Sequence, residues 1–189
     1  DKMGNYAQAR FNYRKASHLN NDDSQLNYKI ACTYMNEANW ESAVKNLEIA
    51  MRIHRLQPEY NLAMGQCYME MDKLDDAITY FGNVVRVRPK NINGWLELLK
   101  CLYKAEMLEE ALEYAGFAFE QTDGKPIFLF YKSAVLYAMG KSKEALLNLE
   151  AGMNRNPKLV KKFIAINPSI LQVQQVVDII ARYKKRNSL

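Results

Sequence analysis

The chain has 189 residues, of which 49% are apolar and 25% charged, a composition that suits one packed globular core. A formal net charge of +5 is too small to argue for nucleic acid by itself. No run of about 18 apolar residues exists to form a membrane span, and eight Gly with five Pro are few for an all-β fold.

In chain order, Asp1-Lys2-Met3 leads at once into a helical pattern from Tyr6 to Leu19. From there a 34-residue register governs the chain. Ala9, Ala43, Ala77, Ala111 and Ala145 fall on it without a miss. A second small-residue series runs Ala16, Ala50, Val84, Ala118, Gly152, and a third runs Ala31, Gly65, Leu99, Ser133, with Leu99 its bulky exception. Bulky positions keep the same beat at Tyr34, Tyr68, Leu102 and Leu136. Short side chains let two helices approach, and their bulky neighbours fill the flanking holes.

Each 34-residue unit reads as two helices. In the unit that starts at Pro58, Tyr60 to Glu70 and Leu74 to Val87 carry apolar residues at helical spacing, separated by Met71-Asp72-Lys73. Equivalent turns are Gly4-Asn5, Ala38-Asn39, Glu106-Met107 and Gly140-Lys141. Pro58, Pro89, Pro126 and Pro157 stand between units, where proline starts one helix or stops the last.

The predicted organisation is a lone second helix in 1–23, full units at 24–57, 58–91, 92–125 and 126–159, and closing helices with a basic tail in 160–189. The first helix of the leading unit is expected outside this chain, or replaced by something that covers the face bearing Tyr6 and Tyr13. At the other end, Lys158 to Ile166 reads as a short helix. Asn167 then caps a new helix with Pro168 in its first turn. Along that helix Ile170, Val173, Val177 and Ile180 are expected to share one apolar face, either closing the core or meeting a partner. Residues 141–189 hold 10 Lys and Arg against 3 Asp and Glu, so the basic character sits at this end, as a solvated terminus or as a dock for something acidic.

The pattern resembles the tetratricopeptide repeat family over about residues 4–159. The family's first helix has a Trp–Leu–Gly–Tyr series and its second an Ala–Phe–Ala–Pro series. Trp95, Met64, Gly65, Tyr68, Ala77, Phe81 and Pro89 are local matches. The resemblance implies an all-α, right-handed α-solenoid of antiparallel helix pairs with a C-terminal capping helix. It also implies that ligands lie on the concave side, lined by the first helix of each unit.

Carried over position by position, that surface is Tyr28, Cys32, Met35 and Asn36, then Leu62, Gln66, Met69 and Glu70. It continues with Leu96, Lys100, Tyr103 and Lys104, then Phe130, Ala134 and Tyr137. An apolar and aromatic lining of this kind suits a peptide with hydrophobic anchors. Some of these residues could equally pack against the next unit or the closing helix. Relatives that clamp an acidic C-terminal peptide use Lys and Asn at the positions held here by Tyr28, Cys32, Ala63, Asn93 and Glu97. Glu97 would repel a carboxylate, so that mode is not expected.

Catalysis is not expected either. His18 and His54 are the only histidines, no nucleophile–base pair is evident, and no phosphate-binding glycine loop occurs. Asp75, Asp76, Glu109 and Glu110 open second helices, where carboxylates complement the helix dipole. Cys32, Cys67 and Cys101 form no metal-site or CxxC spacing and suit a reducing compartment, hence the cytoplasm. The expected function is a non-enzymatic protein-interaction scaffold with no cofactor and no metal. Its partner is a protein or peptide rather than nucleic acid. Self-assembly through the leading end, or service as the regulatory segment of a larger protein, is the alternative.

Overall fold

A computed structural model describes residues 5–17 and 24–186, and among these it contains eleven α-helices and no strand. Leu19 and His18 lie outside the described residues. The chain divides into two compact units, one reaching Cys101 and one starting at Leu102.

In the first unit α1 (Tyr6–Ser17) packs on α2 (Ser24–Asn36), which pairs with α3 (Trp40–Ile53). Next come α4 (Pro58–Glu70) and α5 (Leu74–Val87), another closely packed pair, and the larger part of α6 (Ile92–Lys104). Helix α4 starts two residues earlier than Tyr60, because Pro58 at its first position has a φ already suited to the helix. Ala43, Leu47, Ala63, Met64 and Cys67 form a buried core beneath Tyr28, Tyr34, Met35 and Trp40. At Gly65 an added Cβ would lie 2.6 Å from the Phe81 ring, so the missing side chain lets α4 sit directly on α5. The linker before α4 is pinned by the buried Asn61, whose amide donates to the carbonyls of Arg55 and Gln57. The next linker is pinned by Trp95, whose indole N–H donates to the Pro89 carbonyl at 2.7 Å.

The second unit holds the end of α6, then α7 (Leu108–Gln121), α8 (Ile127–Ala138), α9 (Ser142–Arg155), α10 (Val160–Ile166) and α11 (Gln174–Arg186). Its core joins Phe130, Ala134, Leu149 and Met153 to Phe163, Ile170, Val176, Ile179, Ile180 and Tyr183. Gly152 lets α9 approach α8, since a Cβ there would meet the Phe130 ring at 3.0 Å.

One turn recurs within the helix pairs. The second residue after the first helix is left-handed at Ala38, Asp72, Glu106 and Gly140, with φ of 55°, 59°, 58° and 75°. The next N–H reaches five residues back in each case: Asn39 to Tyr34, Lys73 to Tyr68, Met107 to Leu102 and Lys141 to Leu136. This is the Schellman termination, which satisfies a carbonyl the helix leaves open. The four left-handed positions are themselves 34 residues apart.

The C-terminal segment departs from the expected pattern at two points. Pro168–Gln172 is a 3-10 helix rather than the start of the last α-helix, and Asn167 caps it by accepting from the Ser169 N–H. Val173 is extended, with φ −88° and ψ 107°, and α11 begins after it. That break resets the helical phase. The buried face of α11 is therefore Val176, Ile179, Ile180 and Tyr183, while Val173 and Val177 are only half-buried. Among the described residues, no helix is long and apolar enough to cross a membrane.

Candidate functional site

In the first unit, side chains from α2, α4 and α6 converge on a cavity of about 420 Å³. Helical spacing puts Met35 and Asn36 on the last turn of α2, and Gln66, Met69 and Glu70 on one side of α4. Glu97 and Lys100, three residues apart on α6, close it from the third helix, and Trp40 at the start of α3 completes the lining.

The cavity has two chemical zones. Met35, Trp40 and Met69 are half-buried and give it a thioether and indole floor. Unbranched, polarisable methionines adapt to irregular apolar shapes. Asn36 and Gln66 each offer an amide that can both donate and accept, which is what an extended backbone requires. At the rim, Lys100 Nζ lies 2.7 Å from Glu97 Oε1, with Glu70 exposed nearby. An exposed pair of this kind contributes at most ~1 kcal/mol to stability and can be rearranged for a ligand.

Six of the predicted groove residues meet here: Met35, Asn36, Gln66, Met69, Glu70 and Lys100. Two lining residues lie outside the expected groove surface: Trp40, which opens a second helix, and Glu97, whose charge sets it against a carboxylate ligand.

Tyr28 belongs to a different cavity of the same unit, about 610 Å³, with Ser24, Gln25, His54, Gln57, Glu59 and Tyr60. Its ring lies tilted against Tyr60 at 5.0 Å. Burial pushes its hydroxyl up to about 12, helped by Cys32, which accepts its hydrogen bond. Cys32 is half-buried, and burial raises its thiol as well. Leu62 and Leu96 are half-buried and line neither cavity.

In the second unit the expected groove is filled by the chain itself. Phe130 and Ala134 have no exposed surface, which corrects their assignment to a ligand surface. The cause is α10, which packs on α8 and brings the Phe163 ring to 5.8 Å from Phe130. Tyr137 packs against the same core. Its hydroxyl is buried without a hydrogen-bond partner, and burial pushes it up to about 12. Tyr103 is held by the C-terminal segment too: burial raises its hydroxyl, while a hydrogen bond from Asn167 works the other way. Lys104 stays exposed.

His54 is exposed. Among the described residues no three His, Cys, Asp or Glu side chains gather as metal ligands. The buried Cys67 thiol is pushed up to about 12 by burial, assisted by Cys32, the reverse of what a reactive thiolate needs.

Residues 58–91 match the family model described as tetratricopeptide repeat. No curated protein sequence matches the chain. Among solved structures, a crystal structure of MamA is similar with a TM-score of 0.73 at 15% identity, covering 84% of this chain and 92% of that one. A structure of YrrB, described as a TPR protein with an unusual peptide-binding site, is similar with a TM-score of 0.66 at 19% identity, covering 95% of this chain and 84% of that one. At such identities the likeness speaks for the fold alone.

Proposed function

We propose that this chain, a tetratricopeptide-repeat protein by its fold and by the repeat at 58–91, is a non-enzymatic scaffold that holds a peptide segment of another protein in the α2–α4–α6 cavity. The observation that carries this is the convergence of Met35, Trp40 and Met69 with the amides of Asn36 and Gln66 in one cavity. An apolar floor takes an anchoring side chain, and the amides pair with the backbone on either side of it. YrrB, of the same fold, is described as having a peptide-binding site, which supports the class of ligand.

The second unit contributes little to this grip. The register equivalents of Gln66 and Met69 there, Ala134 and Tyr137, pack in the core that includes α10. The ligand is therefore short, and its affinity is expected in the micromolar range, roughly −8 kcal/mol.

Site-directed photo-crosslinking tests the placement. A photoreactive amino acid at Gln66 should capture peptides selected for binding from a random display library, whereas the same group at Lys132 on α8 should not. Equal capture at both positions would remove the cavity from the account.

A further inference from the structure

Helix α7 differs from the other second helices on its outer face. Glu109, Glu110, Glu113 and Glu120 are all exposed there, and α7 contains no Lys, Arg or His. The corresponding helices carry Lys45 and Arg52 on α3, Arg86 on α5, and Lys143 and Arg155 on α9. Among the described residues, none of the four carboxylates is engaged in an ion pair or side-chain hydrogen bond.

Internal stability does not explain the arrangement. Glu109 and Glu110 gain from the positive end of the helix dipole, but Glu113 lies four residues from one and three from the other, where like charges repel. Glu120 sits in the last turn, at the negative end.

Two aromatic rings lie among these charges. Phe117 is 46% exposed, and Tyr114 meets it edge-on at 6.2 Å. At helical spacing Phe117 falls angularly between Glu113 and Glu110, so an exposed ring occupies the middle of an acidic face. The positions 34 residues apart in the other units hold Ile49, Asn83 and Ala151. Lys132 Nζ of α8 comes within 3.9 Å of the Cβ position of Gly116 at one edge but pairs with none of these carboxylates. An apolar centre rimmed by carboxylates without close ion pairs is the form of a docking surface, and its complement is apolar and basic.

The chain carries that complement. Residues 156–189 hold seven Lys and Arg against one Asp. Lys158, Lys161 and Lys162 are exposed and unpaired among the described residues, and Leu171 is 45% exposed in the same segment. We propose that the acidic–aromatic face of α7 docks the basic C-terminal segment of a second copy of this chain. The rings supply buried area, and the carboxylates steer and align the lysines. This contact is independent of the peptide cavity, which lies in the other unit.

Sedimentation velocity on the whole chain, with charge-swapped variants, tests it. The wild type should self-associate at about 50 mM salt and weaken at least about tenfold at about 500 mM, where screening is stronger. Glu110→Lys/Glu113→Lys and Lys161→Glu/Lys162→Glu should each associate with themselves about tenfold more weakly, because one side of every contact then repels. An equimolar mixture of the two variants should recover association, since unlike charges face each other again. Phe117→Ser should weaken association while the salt dependence persists. A wild type that stays monomeric at low salt overturns the proposal. So does self-association indifferent to the α7 swap, or a mixture that fails to recover.

Discussion

Tyr137 shows what burial does to a single side chain. Its ring packs on the C-terminal core while its hydroxyl is covered and has no hydrogen-bond partner. A buried hydroxyl without a partner loses its water for nothing in return. Tyr137→Phe should therefore stabilise the chain, by about 1 kcal/mol, read as a higher midpoint in chemical denaturation. A loss of stability would mean that the hydroxyl is hydrogen-bonded in solution. Cys67 gives a pH dependence. Its folded thiol stands near 12 against an ordinary value of 9.0, so the neutral form is favoured in the fold. That stabilisation is complete below about pH 9 and fades as pH climbs toward 12, because the unfolded thiol ionises first. Tyr28 and Tyr137, raised to about 12 from 10.0, add to the fall above pH 10. The denaturation midpoint should be level from pH 7 to about 8.5 and decline beyond pH 9, with a shallower first stage in Cys67→Ala. A midpoint that holds to pH 11 would contradict this.

At the scale of the element, the recurring turn separates what residue type can announce from what the backbone imposes. Four left-handed positions share one hydrogen-bond pattern, yet only Gly140 is the residue that adopts this conformation without strain. At Ala38, Asp72 and Glu106 it is accompanied by the hydrogen bond from the following N–H to the carbonyl five residues back. A left-handed conformation costs a residue with a Cβ roughly 1–2 kcal/mol, partly offset by the lower entropy of its unfolded state. Glu106→Gly should then raise stability by roughly 0.5–1 kcal/mol, measured by thermal or urea denaturation, and a loss would contradict the assigned turn. The turns at 38–39, 72–73, 106–107 and 140–141 were legible in the sequence by their 34-residue spacing, as were the helix pairs. The phase of α11 was not. A continuous pattern from Ile170 points to Val173 and Val177, but the extended Val173 rotates the buried set to Val176, Ile179, Ile180 and Tyr183. One extended residue between two short helices has no periodic signature, so apolar spacing alone cannot locate the break.

At the scale of the molecule, the repeat beat makes the fold readable and also hides where it stops being uniform. Periodicity places Met69 and Tyr137 at equivalent positions of one surface. The difference arises from α10, whose Val160 and Phe163 cover Phe130 and Ala134. Which inner faces remain open depends on where a non-repeating segment lands, and that is a tertiary fact. Six of the predicted groove residues accordingly form one cavity in the first unit, while Phe130 and Ala134 are core.

The division between an open face in the first unit and a filled face in the second governs where a peptide can bind. Its most direct test is the affinity of display-selected peptides, measured by fluorescence anisotropy against two double variants of the whole chain. Met35→Glu/Met69→Glu places charge on the cavity floor and should weaken binding at least about tenfold, equivalent to about 1.4 kcal/mol. Tyr103→Ala/Tyr137→Ala alters the covered face of the second unit and should leave affinity within about twofold, provided circular dichroism shows both variants folded at the assay temperature. The opposite ranking, with the tyrosine variant losing the peptide and the methionine variant keeping it, would contradict binding in the first-unit cavity.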